Sequence, residues 1–149
     1  MIIIDGHNLI GAVKHFSLND PENKNKLLKF LDSYQKIAKT RLIVVFDKIY
    51  NYQYERNDYN NIEVRYPIAG DNADLVIKNL LDKYENHCRL VTNDNELKLK
   101  AKINKIESIS CQDFINKIEN IIRSNDNNIK TKILNSAEIE KWESVFNRS

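Results

Sequence analysis

A chain of 149 residues, 42% hydrophobic and 30% charged, has the length and apolar content for one globular domain with its own core, which excludes disorder and a second full domain. A formal net charge of +2 neither requires nor excludes nucleic acid, so such a partner must be argued from where the charges sit. No run of about 18 apolar residues occurs, and the apolar start meets Asp5 too early for a signal-peptide core, so no membrane is expected and the protein is read as cytoplasmic.

Residues 1–5 (MIIID) form a short apolar run closed by a carboxylate, the pattern of a strand buried on both faces. A polar stretch follows, and then Leu27, Leu28, Leu31, Tyr34, Ile37 and Ala38 recur at helical spacing, predicting an amphipathic helix over 22–39. Residues 41–47 (RLIVVFD) repeat the first pattern, so the helix is the natural βαβ crossover between two parallel strands. Residues 48–61 are polar and tyrosine-rich and read as an exposed loop before a brief strand over 62–66.

Residues 67–70 break the pattern, after which Ala73, Val76, Ile77, Leu80, Leu81 and Tyr84 give a second helix, with Asp71 as its expected cap. Residues 88–92 (CRLVT) predict another apolar strand, running through Asn93 and Asp94 into a lysine-rich helix that ends near Lys102. A strand over 106–110 and a helix over 112–123 complete an α/β alternation. Residues 124–132 read as a polar linker, and 135–146 as a short helix with Ile139, Trp142, Val145 and Phe146 inward, docking on the domain or on a partner. The expected organisation is therefore a main domain over 1–124 and a linker plus short helix over 125–149. Cys88 and Cys111 form no CxxC pair and are expected to be buried free thiols rather than a disulfide or zinc ligands.

Four carboxylates share one structural address. Asp5 and Asp47 end strands, Asp94 follows a strand, and Asp74 sits in the first turn of a helix, so a parallel sheet gathers all of them at its carboxyl edge, where open α/β folds bind ligands. Crowding them costs several kcal/mol unless a cation neutralises them. All-oxygen ligation without a His or Cys cluster favours Mg²⁺ or Mn²⁺. Taken singly, capping explains some of these residues: Asp71 suits an N-cap with Asp74 as the third residue of the helix, and Asn93 with Glu96 spells a capping box. Asp5 and Asp47 resist that explanation, because neither obviously begins a helix at the next residue, and the joint placement favours a site. The Asn8 amide can orient a metal-bound water or a phosphate oxygen; its alternative is to cap a helix starting near Leu9.

The segments IIIDGHNLIG at 2–11, VVFD at 44–47, GDNADLVI at 70–77 and VTNDNEL at 91–97, with NSAEIEKW at 135–142, resemble the NYN domain family of PIN-like ribonucleases, in particular its YacP-like branch. The resemblance implies a PIN-like three-layer α/β/α fold with a central, mainly parallel sheet of four or five strands. It also implies metal-dependent endonucleolytic cleavage of RNA with Mg²⁺ or Mn²⁺, leaving 5′-phosphate and 3′-hydroxyl ends. Asp5, Asn8, Asp47, Asp74 and Asp94 inherit the catalytic role, with metal held by Asp5, Asp74 and Asp94. Relatives often carry Gly where this chain has Lys48, and a second acid where it has Leu75; Asp71 is the candidate compensating ligand. These departures prompt the competing reading, a non-catalytic RNA- or ribosome-binding module with a degenerate site.

Lys98, Lys100, Lys102 and Lys105 after Asp94, with Lys48, Arg56 and Arg65, are candidate phosphate contacts, against the plainer reading of a solvated lysine face. Tyr50, Tyr52 and Tyr54 can stack unpaired bases, or form one face of an edge strand. The expected partner is RNA, either mRNA or ribosome-associated RNA. No GxGxxG or GxxxxGK[ST] occurs, which sets nucleotide-cofactor enzymes aside, and His7 stands where an aspartyl phosphatase wants a second Asp. The chain is also short for the elements with which a flap nuclease holds duplex DNA.

Overall fold

Runs of Ile, Leu and Val make the middle of this protein because successive strand side chains point to opposite faces, and here both faces are covered by helices. The computed structural model describes residues 1–14, 16, 20–47 and 59–127. In chain order these form β1 (Ile2–Asp5), α1 (Gly6–Ala12), α2 (Asn23–Ala38), β2 (Leu42–Val45), β3 (Ile62–Arg65), α3 (Ala73–Tyr84), a 3-10 turn (Glu85–His87), β4 (Arg89–Val91), α4 (Asn95–Ile103) and β5 (Ser108–Ile109). A last helix, α5, covers 111–127. Lys48, Tyr50, Tyr52, Tyr54, Arg56 and the expected helix over 135–146 with Trp142 lie outside the described residues.

All five strands are parallel, in the order β3-β2-β1-β4-β5. Ile3 is the centre of the register, opposite Ile43 on one side and Leu90 on the other. Ile2 and Ile4 pack with Leu9, Leu27, Leu31 and Phe114 from α1, α2 and α5, while Ile3 packs with Ile77, Leu81 and Leu97 from α3 and α4. This is the three-layer α/β/α arrangement expected from the sequence, with the sheet wholly rather than mainly parallel. The chain builds outward from β1 through β2 to β3, then returns to the other side of β1 for β4 and β5. That reversal leaves a crevice at the carboxyl ends of β1 and β4, because the connections leave in opposite directions.

Three local expectations are corrected. Asp5 does begin a helix at the next residue: it is the N-cap of α1, which starts at Gly6 and not near Leu9. The cap of α3 is Asn72, whose side chain accepts from the Leu75 N–H at 2.9 Å, and not Asp71. Residues 124–127, read as the start of the linker, continue α5, whose Ile118, Ile121 and Ile122 keep packing on the core at helical spacing.

Gly6 fixes how α1 leaves the sheet. A Cβ there would lie 2.7 Å from the ring of Phe46 and 3.0 Å from the Val45 carbonyl oxygen, and Phe46 is itself buried. Gly6→Ala is therefore expected to overpack this corner and destabilise the fold by about 1–3 kcal/mol. A urea midpoint equal to that of the wild type would reject this.

Cys88 and Cys111 are both free and buried, one in each apolar layer, which separates them for any shared metal or disulfide. Among the described residues no helix is long and apolar enough to cross a membrane.

Candidate active site

The carboxyl end of β1 delivers Asp5 to the crevice, 3% exposed. Its carboxylate is held from two sides. Asn8, one turn into α1, donates from Nδ2 to Asp5 Oδ2, and its backbone N–H points at Oδ1 at 3.5 Å. Thr92, fully buried just past β4, donates from Oγ1 to Asp5 Oδ2 at 3.1 Å. The same Thr92 oxygen accepts the Asp94 backbone N–H at 3.1 Å, so one hydroxyl ties the ends of β1 and β4 together. Burial pushes the Asp5 carboxyl above the ordinary aspartate range, the bonds from Asn8 and Thr92 oppose that rise, and the charge of Asp47 adds to it.

Asp94 is the N-cap of α4 and accepts the Leu97 N–H through Oδ1 at 3.0 Å. Capping and site readings are not exclusive, since a carboxylate has a second oxygen to offer. Asp74, in the first turn of α3, is half-buried. Burial raises its carboxyl above the ordinary range, and the charges of Asp94, Asp5 and Asp47 raise it further, with Lys78 opposing. Asp47 is exposed just beyond β2. The charges of Asp5, Asp47 and Asp94, from the ends of three strands, thus all reach Asp74.

Ligand oxygens of Asp74, Asp94 and Glu96 all lie within 4.8 Å of one another. Asp74 and Glu96 also line an open cleft of about 370 Å³ with Gly70, Asp71, Asn72, Leu75 and Lys78. The donor set is hard oxygen throughout, with neither His nor Cys in the group, and so suits Mg²⁺ or Mn²⁺. The group includes Glu96, which the sequence reading had not placed there, while Asp5 is buried beneath it and Asp71 is exposed on the cleft wall, both outside the trio.

Glu96 was obscured by its apparent capping box with Asn93. In the structure Asp94 takes the cap, and Asn93 Oδ1 instead accepts the Cys111 N–H at 3.0 Å, bracing the start of α5. An Asp-x-Glu at the head of a helix that follows a strand was the signal available for it. Thr92 carried none beyond its place after the strand. Lys78 reaches from α3 to Glu96, Nζ to Oε1 at 2.8 Å, and this bond holds its ammonium above the usual lysine range.

Of the basic candidates, Lys98 is half-buried on α4. Lys100 is engaged by Asp82 at 2.8 Å, and Arg65 by Glu63 at 2.8 Å, which Arg41 also contacts at 2.7 Å. His7 is exposed on α1.

A wholly parallel sheet with carboxylates gathered at its switch point is an open α/β domain with an acidic ligand site at the carboxyl edge of its strands. The chain belongs to the YacP-like NYN domain family, whose model matches residues 2–147. It is similar to the crystal structure of Rae1 (YacP) from Bacillus subtilis, with a TM-score of 0.76 and 22% identity over 100% of this chain and 95% of that one. A crystal structure of a point mutant of that protein gives a TM-score of 0.69 and 23% identity, over 87% of this chain and 81% of the other. These likenesses speak for the fold. No curated protein matches the chain in sequence.

Proposed function

We propose that the protein is a divalent-metal-dependent endoribonuclease of the cytoplasm, hydrolysing phosphodiester bonds of mRNA or ribosome-associated RNA with Mg²⁺ or Mn²⁺. The observation that carries this reading is the approach of the Asp74, Asp94 and Glu96 carboxylates to within 4.8 Å beside buried Asp5, a concentration of negative charge that is unfavourable without a cation. Asp5, Asp74 and Asp94 would hold the ion, with Asp71 on the cleft wall and Glu96 beside Asp74 as acids at its edge. When bound, such an ion supplies positive charge to the phosphoryl oxygens and lowers the pKa of a water molecule.

The chain's own residues supply the rest. Asn8 and Thr92 fix Asp5 in one orientation. Asp47, exposed just beyond β2, would assist through a water, taking up its proton. The N-terminal ends of α3 and α4 open on the same cleft, and their dipoles favour an anionic phosphate there. Lys98 and Arg65, with Lys48, Tyr50 and Tyr52 directly after Asp47 in sequence, are the assigned RNA contacts.

One observation favours the second reading, a non-catalytic RNA- or ribosome-binding module: the Lys78 ammonium already neutralises part of the acidic group. Labelled single-stranded and structured RNAs incubated with Mn²⁺, Mg²⁺ or EDTA separate the two. Cleavage is expected with either metal, is lost in EDTA, and falls at least about a hundredfold in Asp74→Asn, since even the outer partners of metal ligands contribute 10–100-fold. Tight RNA binding by the wild type without cleavage in either metal would reject catalysis.

A further inference from the structure

The α3–α4 contact is spanned by two lysine–carboxylate pairs of equal length, Lys100–Asp82 and Lys78–Glu96, both 2.8 Å. Their surroundings differ. Asp82 also accepts a bond from Asn104 at 2.9 Å and lies outside the acidic group, so Lys100–Asp82 is an ordinary surface clamp between helices. Lys78 sits one helical turn after Asp74, which puts both on the same face of α3, and it lines the cleft together with Asp74 and Glu96. It bonds Glu96, whose carboxylate lies within 4.8 Å of those of Asp74 and Asp94, so its charge is delivered at the edge of that group. Its side chain is 31% exposed and that of Glu96 69%, so the lysine is the more enclosed partner.

We infer that Lys78 is a resident cation of the acidic site: by holding Glu96 it takes the place of a second metal ion, so that the protein binds a single divalent cation on the side of Asp5, Asp74 and Asp94. The inference rests on the metal-site reading above. A fixed ammonium and a divalent ion repel each other, so a second ion reaching the remaining Glu96 oxygen would meet the positive charge of Lys78. Removing the ammonium frees Glu96 and lowers the positive charge that a second ion would meet. Replacing it by another cation changes neither condition.

The test is a Mn²⁺ titration followed by calorimetry and by electron paramagnetic resonance, on the full chain at one fixed pH, for wild type, Lys78→Gln and Lys78→Arg. The positions are on the protein surface, and circular dichroism checks that each variant is folded. The expected result is one equivalent of Mn²⁺ in wild type and Lys78→Arg, against two in Lys78→Gln, with the spin-coupled spectrum of neighbouring ions in Lys78→Gln only. A single equivalent in Lys78→Gln, or two in the wild type, overturns the inference and reduces Lys78–Glu96 to a clamp like Lys100–Asp82, while leaving the metal site standing. No Mn²⁺ bound by any of the three proteins overturns the metal-site reading itself, and this inference with it.

Discussion

Asp74→Asn is expected to abolish metal-dependent cleavage and, in the metal-free protein at neutral pH, to raise the melting temperature. The second effect follows from the sign of the linkage. Burial and the charges of Asp94, Asp5 and Asp47 raise the folded-state carboxyl of Asp74 above its unfolded value, so the folded protein holds that proton more tightly than the unfolded chain does. Below the ordinary aspartate range the ionised group is absent from both states and there is no penalty. As the pH rises through the raised folded value, ionisation in the fold becomes a destabilising contribution, which persists at neutral pH. Asparagine removes it, and each kcal/mol relieved raises Tm by about 2–4 °C in a domain of this size.

Melts of both proteins in EDTA from acid to neutral pH should therefore diverge upward. Coincident curves across that range would show that Asp74 is not under electrostatic load. Metal reverses the ranking: Mn²⁺ at a hundredfold excess over Kd stabilises the wild type by about 2.7 kcal/mol, or about 5–10 °C, and should leave Asp74→Asn nearly unmoved. A residue that is optimal for function and adverse for the empty fold is the usual signature of a site.

Thr92→Val tests the other half of the arrangement with almost no change of shape. The hydroxyl is lost from between Asp5 Oδ2 and the Asp94 N–H, each 3.1 Å away, which leaves a buried carboxylate short of one donor and a backbone donor without its acceptor. The expected loss of stability is about 1–3 kcal/mol. Activity should fall about 10–100-fold, because the two acids at the ends of β1 and β4 lose their common brace. The bond from Thr92 holds the Asp5 carboxyl down, so its removal should also move the acid limb of the pH–rate profile to higher pH. Thr92→Ser restores the hydroxyl and should restore both activity and profile. A valine variant that is as active as the wild type, with an unshifted profile, would reduce Thr92 to packing.

How much of this was legible beforehand depended on whether the cause was local. Strands β1, β2 and β4 were visible because burial on both faces demands an uninterrupted apolar run, and α2 and α3 because a one-sided core contact demands a period of 3.6. The start of α1 was not, because Gly6, His7 and Asn8 carry no helical pattern. It forms where the Asp5 cap and the space against Phe46 allow the chain to turn. At the start of α3, Asp71 and Asn72 are both good caps, and the sequence around them does not choose.

The candidate site divides in the same way. By itself the sequence determined that Asp5, Asp47, Asp74 and Asp94 share one edge, since strand direction fixes which end of a parallel sheet a terminal carboxylate occupies. Only the tertiary structure decided that Thr92 bonds Asp5 across 87 positions of sequence, that Glu96 comes together with Asp74 and Asp94, and that Lys78 pairs with Glu96. These contacts depend on the distances between β1 and β4 and between α3 and α4, and a local pattern of residues carries no information about the spacing of elements that meet only after the chain has folded.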